Sequence, residues 1–214
     1  MELKQPKILG GLGAIFILCF IIPVIGWILS IVGFILTAIA IKEISDKVKD
    51  KPIFTNYLIS IILYFVSGVT AIIGSIIFFF NAVVKNLDKF ENFNNWNGFN
   101  DFGIREFNRF GGFPKIKEFL TIIGSKIWIL VLILAIAWVI FVIAGYFTKS
   151  SFDKLVEKIK IDNFKTAGIL IFIGSILTIL FGVGFIIILV GVIFEIISFF
   201  SLPDIYEETQ LTWQ

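Results

Sequence analysis

Apolar residues run almost unbroken over residues 8–41 and again over 165–201, and each run is interrupted once near its middle. Both runs are longer than one bilayer crossing. A hydrocarbon core of about 30 Å takes roughly 20 helical residues at ~1.5 Å each, and a tilt of about 40° stretches that only to ~26 residues. Each run therefore predicts a helical hairpin, folding back at Pro23-Val24-Ile25-Gly26 and at Gly182-Val183-Gly184. Proline removes a backbone donor there, and glycine relieves the dihedral limits of a tight reversal.

The whole pattern predicts an all-α, polytopic transmembrane bundle of about six helices in a single integral membrane domain over residues 1–214. The helices are expected at about 8–22, 27–41, 57–84, 122–147, 166–181 and 185–201. Charged connectors occupy 42–56 and 148–164, a long aromatic- and Asn-rich loop occupies 85–118, and an acidic tail without fixed structure occupies 202–214. The four helices of the terminal hairpins are short, at roughly 24 Å. They either cross a thinned bilayer or dip in and return. Non-helical backbone at membrane depth survives only where protein or a water-filled cavity surrounds it.

Lysine and arginine set the orientation, because cytoplasmic segments carry their excess. With six crossings and the N-terminus inside, the inner segments hold Lys4, Lys7, Lys42, Lys47, Lys49, Lys51, Lys149, Lys154, Lys158, Lys160 and Lys165. The long loop holds Lys85, Lys89, Arg105, Arg109, Lys115 and Lys117, a smaller set. With four crossings the split is near even. The sequence is therefore read as a cell-membrane, multi-pass protein with both termini cytoplasmic and the 85–118 loop outside.

Composition narrows the chemistry. The chain is 58% hydrophobic and 16% charged, against about 25% charged in soluble domains, and its mean hydropathy is +1.00. It has no His and one Cys, Cys19. That removes His-based acid–base chemistry and Ser-His or Cys-His nucleophiles. It also counts against zinc, haem and most transition-metal sites. Cys19, in an apolar run, reads as a small buried hydrophobe. A net charge of +2 is too small to suggest a nucleic-acid partner. There is no phosphate-cradling G-x-x-x-x-G-K, no H-E-x-x-H and no EF-hand loop. No enzyme activity, cofactor or metal is expected.

The first and last hairpins match without gaps at an offset of 158: Gly10 with Gly168, Gly26 with Gly184, Gly33 with Gly191, Asp46 with Asp204. Small residues follow at seven-residue steps, Gly26, Gly33 and Ala40 in one hairpin and Gly184, Gly191 and Ser198 in the other. Such a step lays one flat stripe along a helix and allows close, left-handed packing. Helix 3 offers Ser67, Ala71 and Ser75 at four-residue steps, a small-xxx-small pattern, and helix 4 offers Ala137 and Ala144. The connectors echo each other as well, in Ile44-Ser45-Asp46-Lys47 and Ser151-Phe152-Asp153-Lys154, and in Ile53-Phe54-Thr55-Asn56-Tyr57 and Asn163-Phe164-Lys165-Thr166-Ala167-Gly168. With its Gly-rich first hairpin, these pieces and the Ala-Gly start of helix 5, the chain resembles an uncharacterised, largely archaeal family of multi-pass membrane proteins, domain-of-unknown-function family 996. The resemblance implies an integral membrane protein and carries no activity with it.

Glu195 is the sharpest single residue. It is flanked by Ile193-Phe194 and Ile196-Ile197, where a carboxylate costs a few kcal/mol. It must be protonated, paired, or facing water. It reads either as a proton- or cation-binding carboxylate or as a helix-end residue bonded to a neighbouring hydroxyl. Its repeat equivalent, Thr37, carries no acid, which argues against a symmetric carboxylate pair. Lys126 is expected to snorkel, and Asn81 to lie at the interface. In the long loop, Phe90, Phe93, Trp96, Phe99 and Phe102 recur every three residues, as suits a segment resting at headgroup level.

Two functions remain. The first is a structural or interaction component of the membrane, partnered by the lipid bilayer and by a second copy or another membrane protein. The alternative is a small transporter or channel using Glu195 as its buried carboxylate. Duplication is common among transporters, with the site between repeats, but proteins that transport nothing also carry it.

Overall fold

The computed structural model describes residues 2–82, 112–180 and 182–205, with backbone alone at 81–82, 112–123 and 125–126. The described residues are almost wholly helical. α1 is Lys4–Leu18, continued by a 3-10 turn at Cys19–Ile21. α2 is Ile25–Lys47, α3 Lys51–Ala82, α4 Gly112–Ile159, α5 Asp162–Leu177 and α6 Val183–Phe200. Five of these are long and apolar enough to cross a membrane, α1 when taken with its 3-10 turn as Lys4–Ile21, and α5, at 16 residues, is the one that falls short.

The helices outrun the apolar runs that announced them. The segments expected as charged connectors are mostly helix: α2 continues to Lys47, α3 starts at Lys51, and α4 continues to Ile159. Two forces extend them. Lys47 pairs with Glu43 and Lys149 with Asp153, each at 2.5 Å and four residues apart, a spacing that supports a helix. The same segments also bury Ile44, Ile53, Phe152, Leu155 and Ile159, so they are amphipathic extensions of the bundle. α2 and α4 then stop at left-handed residues, Lys49 and Lys160. Residues 112–118, expected in the long loop, are the first turns of α4. Residues 83–111, including the five three-spaced aromatics, lie outside the described residues, as do the side chains of Asn81 and Lys126.

The described residues form two compact units, one of residues up to 67 and from 138 onward, the other of residues 68–137. The first unit holds both hairpins and the main core. At one end of it gather the starts of α1, α3 and α5 and the ends of α2, α4 and α6. Tyr57 stacks on Phe152, which meets Phe164 edge-on, and Phe164 meets Phe199 at 5.1 Å. Ser151 donates to the Ile53 carbonyl at 2.7 Å, and the Asn56 amide to Ser150 at 3.0 Å. The chain ends meet here too. The Leu3 N–H donates to the Asp204 carbonyl at 2.8 Å, Lys7 pairs with Asp204 at 3.1 Å, and Leu3 and Leu202 are buried. So the expectation of an unfixed tail fails at 202–205, which a buried leucine and a backbone pair hold down. Residues 206–214 lie outside the described set. In the second unit, Gly74 of α3 receives the Ile133 side chain of α4.

The two hairpins repeat in structure at the offset read from sequence. Lys4 and Asp162 open their first helices, and Ile25 and Val183 their second. At the reversal, Val24 adopts φ 67°, ψ −67°, and the Ile25 N–H donates to the Pro23 carbonyl at 2.8 Å, a positive-φ γ-turn. Its equivalent is Gly182, at φ 89°, a conformation that glycine takes without steric cost.

Candidate functional site

Small residues bring the helices of each hairpin to backbone contact. A Cβ on Gly33 would sit 2.5 Å from the Gly13 carbonyl oxygen and 2.8 Å from the Ile17 nitrogen. A Cβ on the equivalent Gly191 would meet the Ile171 side chain at 2.8 Å. Gly26 and Gly184 face Cys19 and Leu177, again equivalents at 158, and Ala40 and Ser198 are fully buried. On α3 the pattern differs from the four-residue step proposed from sequence. Ser67 is buried, but Ala71 is half-buried and Ser75 exposed. The buried small residues are Ser60, Ser67 and Gly74, at seven-residue steps, the same period as in the hairpins. Ala137 and Ala144 on α4 are buried.

This close packing encloses a cluster of polar side chains in the first unit. Glu195 of α6 is 3% exposed. Its carboxyl is in reach of the Tyr57 hydroxyl from α3, while its Oε1 atom is buried with no hydrogen-bond partner. The Tyr57 hydroxyl also reaches Thr37 of α2. Thr37 is fully buried, and its hydroxyl donates to the Gly33 carbonyl at 2.5 Å. One phenol thus stands between two residues that the repeat makes equivalent, Thr37 and Glu195. Seven residues further along α3, the Tyr64 hydroxyl lies near Thr148 of α4 and Ser175 of α5. Thr148 and Ser175 otherwise donate to carbonyls of their own helices, Ala144 at 3.2 Å and Ile171 at 2.8 Å.

The sequence singled out Glu195 and missed its partners. The signal was present in two tyrosines at a helical heptad step within an apolar run, since a buried Tyr hydroxyl needs a polar partner. The missing acid at Thr37 argues against a symmetric pair of carboxylates, and the structure has none there; the threonine lies near the same tyrosine as the acid does. An open groove of about 300 Å³ lies at the start of α1, lined by Glu2, Lys4, Gln5, Ile8 and Leu9. It shares no residue with the cluster. Among the described residues, no group of three or more Cys, Asp or Glu side chains is placed to hold a metal ion.

Over residues 29–193 the chain matches the family described as protein of unknown function, DUF996. It is also similar to "Uncharacterized protein MJ1644" of Methanocaldococcus jannaschii, with 31% identity over 204 residues and 95% of each chain covered. No solved structure matches it.

Proposed function

The chain belongs to the DUF996 family, and on that footing we propose that it is a structural or interaction component of the cell membrane. In this reading it crosses the bilayer six times with both termini in the cytoplasm, and it is not an enzyme. The enclosure of the Glu195 cluster carries the proposal: among the described residues Glu195 is the one acidic side chain that is buried, at 3% exposed, and it lies near a tyrosine hydroxyl. A transport site must exchange its cargo with water on each side, and a conducting path lines itself with water-facing polar groups. Here the polar hydroxyls of Ser30, Thr148, Ser175 and Ser198 donate to carbonyls of their own helices. They act as packing groups.

The outer surface supports the lipid bilayer as the main partner. Large apolar side chains stand exposed around the helices, among them Trp27, Phe65, Trp128 and Ile186. α5 is short, but α5 with its following turn repeats α1 with its 3-10 turn, so both first helices of the hairpins are assigned the same crossing. The excess of lysine at the end where the termini meet supports a cytoplasmic assignment of that end.

The transporter reading rests on one observation, the unpartnered Oε1 of Glu195. Reconstitution in liposomes separates the two. The expected result is proton, sodium and potassium flux no greater than in protein-free vesicles. Flux above that level which Glu195→Gln abolishes would overturn the proposal. For orientation, single cysteines replace Lys158 or Trp96 in a Cys19→Ala background. An impermeant thiol reagent added outside cells should label position 96 and spare position 158.

A further inference from the structure

We propose that the two hairpins thin the bilayer, drawing the outer leaflet down to their turns. This action rests on the six crossings proposed above and holds whether or not anything is transported. It follows from apolar length. Between Lys7 and the turn at Pro23, and between that turn and Lys42, each helix of the first hairpin offers about 24 Å free of charge. The second hairpin repeats that length from Lys165 to Gly182. A hydrocarbon core is about 30 Å thick, so the turns fall roughly 5 Å short of its far edge. The middle helices are longer. Residues 57–80 of α3 and 127–147 of α4 run without a charge over about 36 and 32 Å. A helix longer than the core fits by tilting, but no tilt lengthens a short one. At the hairpins the lipid has to give way, unless the hairpins themselves shift outward or snorkel.

Neither escape is open. The stacked and edge-on rings of Tyr57, Phe152, Phe164 and Phe199 tie α3, α4, α5 and α6 together at the lysine-rich end, and Phe199 also fills the space over Gly10 of α1. The hairpins are therefore held level with α3 and α4 there. Snorkelling needs a long polar side chain, and Pro23-Val24-Ile25-Gly26 and Gly182-Val183-Gly184 contain none. Two demands then meet at each turn. Ile21, Val24 and Ile25 at one, and Leu180, Val183 and Ile186 at the other, are each more than half exposed, so acyl chains have to reach the turns to keep them from water. Residues 22–24 are exposed and non-helical, and irregular backbone facing lipid is not tolerated within the hydrocarbon. Phe20 and Trp27 stack across this turn at 6.3 Å, with Trp27 exposed, as suits an aromatic at the membrane–water interface. Hydrocarbon up to the turn and headgroups directly at it describe a bilayer thinned by about 5 Å.

The two turns act on one leaflet. α1 starts and α6 ends where the chain ends meet, with the Leu3 N–H bonded to the Asp204 carbonyl at 2.8 Å and Lys7 paired with Asp204 at 3.1 Å. Further along the same contact, Gly10 and Gly11 of α1 receive the rings of Phe199 and Phe200. Both turns therefore point away from the lysine-rich end, toward the same membrane face. With that end in the cytoplasm, the leaflet drawn inward is the outer one. The partner so defined is a phospholipid bilayer with a hydrocarbon core near 24 Å at the hairpins, about 5 Å under the usual thickness.

Depth measurements on the full-length protein test this. Nitroxide labels are attached singly through Val24→Cys, Val183→Cys, Leu132→Cys or Lys158→Cys in a Cys19→Ala background. Each variant is reconstituted in phosphatidylcholine vesicles of rising acyl length, from dimyristoleoyl to dierucoyl, with a water-soluble nickel relaxant on both faces. The expected result is nickel relaxation at positions 24 and 183 that stays the same in every lipid and well above that at position 132. Position 158 should remain fully accessible throughout. Relaxation at the turns that is present in the shortest lipid and lost to the level of position 132 in the longest overturns the thinning and leaves the crossings standing. Protection of both turns in every lipid overturns the crossings and the thinning together. Protection of position 158 in long lipid would mean that the whole bundle sinks, and also overturns the proposal. Should Val24→Cys fail to fold, the neighbouring Ile25→Cys, at a position 64% exposed, takes its place.

Discussion

Gly33→Ala should destabilise the protein by about 2 kcal/mol, while the same change at Gly68 should stabilise it by roughly 0.8 kcal/mol. The two glycines sit in helix interiors and differ in what a methyl group would meet. At Gly33 the added Cβ lies 2.5 Å from the Gly13 carbonyl oxygen and 2.8 Å from the Ile17 nitrogen. Both are backbone atoms, so α1 and α2 must part to admit it. Overpacking costs about 1–3 kcal/mol, and a rigid neighbour puts this site at the upper end. The gain in helix propensity from Gly to Ala, about 0.8–1 kcal/mol, offsets part of that. At Gly68 nothing lies within 4 Å, and only the propensity gain remains. Gly191, the repeat equivalent of Gly33, falls between them. Its nearest neighbour is the Ile171 side chain at 2.8 Å, with backbone atoms of Ile171 and Ala167 further off at 3.1 and 3.3 Å, so Gly191→Ala should cost about 1 kcal/mol, less than Gly33→Ala. The assay is reversible unfolding in mixed micelles with rising dodecyl sulfate fraction, followed by tryptophan fluorescence. A gap of about 3 kcal/mol between Gly33→Ala and Gly68→Ala corresponds to roughly two decades in the folding constant. Equal stability of these two variants would refute the claim that α1 and α2 meet at backbone distance.

Other changes probe other contacts. Val24→Gly should raise the unfolding midpoint, because a positive-φ valine stores ~1–3 kcal/mol and glycine gives back only about 0.5–1 kcal/mol in chain entropy; a lowered midpoint would count against the γ-turn. Phe199→Ala removes a fully buried ring that packs on Phe164 and Gly10 and should cost roughly 3–5 kcal/mol in the same unfolding assay. Glu195→Gln retains a carbonyl for Tyr57 and should unfold within about 1 kcal/mol of wild type. Glu195→Lys brings a charge into the apolar interior and should cost ~3 kcal/mol. Asp204→Asn breaks an exposed ion pair with Lys7 and should cost under about 1 kcal/mol, an effect that added salt removes.

Much of this architecture was legible because it follows from long-period patterns. An apolar run too long for one crossing and broken at Pro23 or Gly182 has to fold back, and the 158-residue offset of the glycines recurs in the helix starts at Ile25 and Val183. Helix ends were less legible. Hydropathy marks where apolar residues stop, but Ile44 and Phe152 sit among charges and are fully buried, so amphipathic turns carry α2 and α4 onward. Packing on α3 was misread for a related reason. Small residues at positions 67, 71 and 75 share a face, but the buried face also includes Ser60 and Gly74, and only a seven-residue step joins those to Ser67. Within the cluster, Glu195 stood out as an acid in an apolar run. Tyr57 did not, because a tyrosine in such a run is ordinary until its hydroxyl is placed between Thr37 and Glu195. Which helix faces another is a property of the assembled bundle, and pairwise spacing along one helix does not contain it.

The central claim is that the bundle interior around the Glu195 cluster is closed. Thr37 is the most direct probe, being fully buried and near enough in size to cysteine for a mild substitution. In a Cys19→Ala background, Thr37→Cys and Lys158→Cys are exposed in vesicles and in dodecyl sulfate to a hydrophilic maleimide with access to both faces. The account predicts rapid labelling at position 158 in both conditions and labelling at position 37 only after denaturation. Labelling of position 37 in the folded protein at a rate near that of position 158 would mean that water reaches the cluster, and would contradict it.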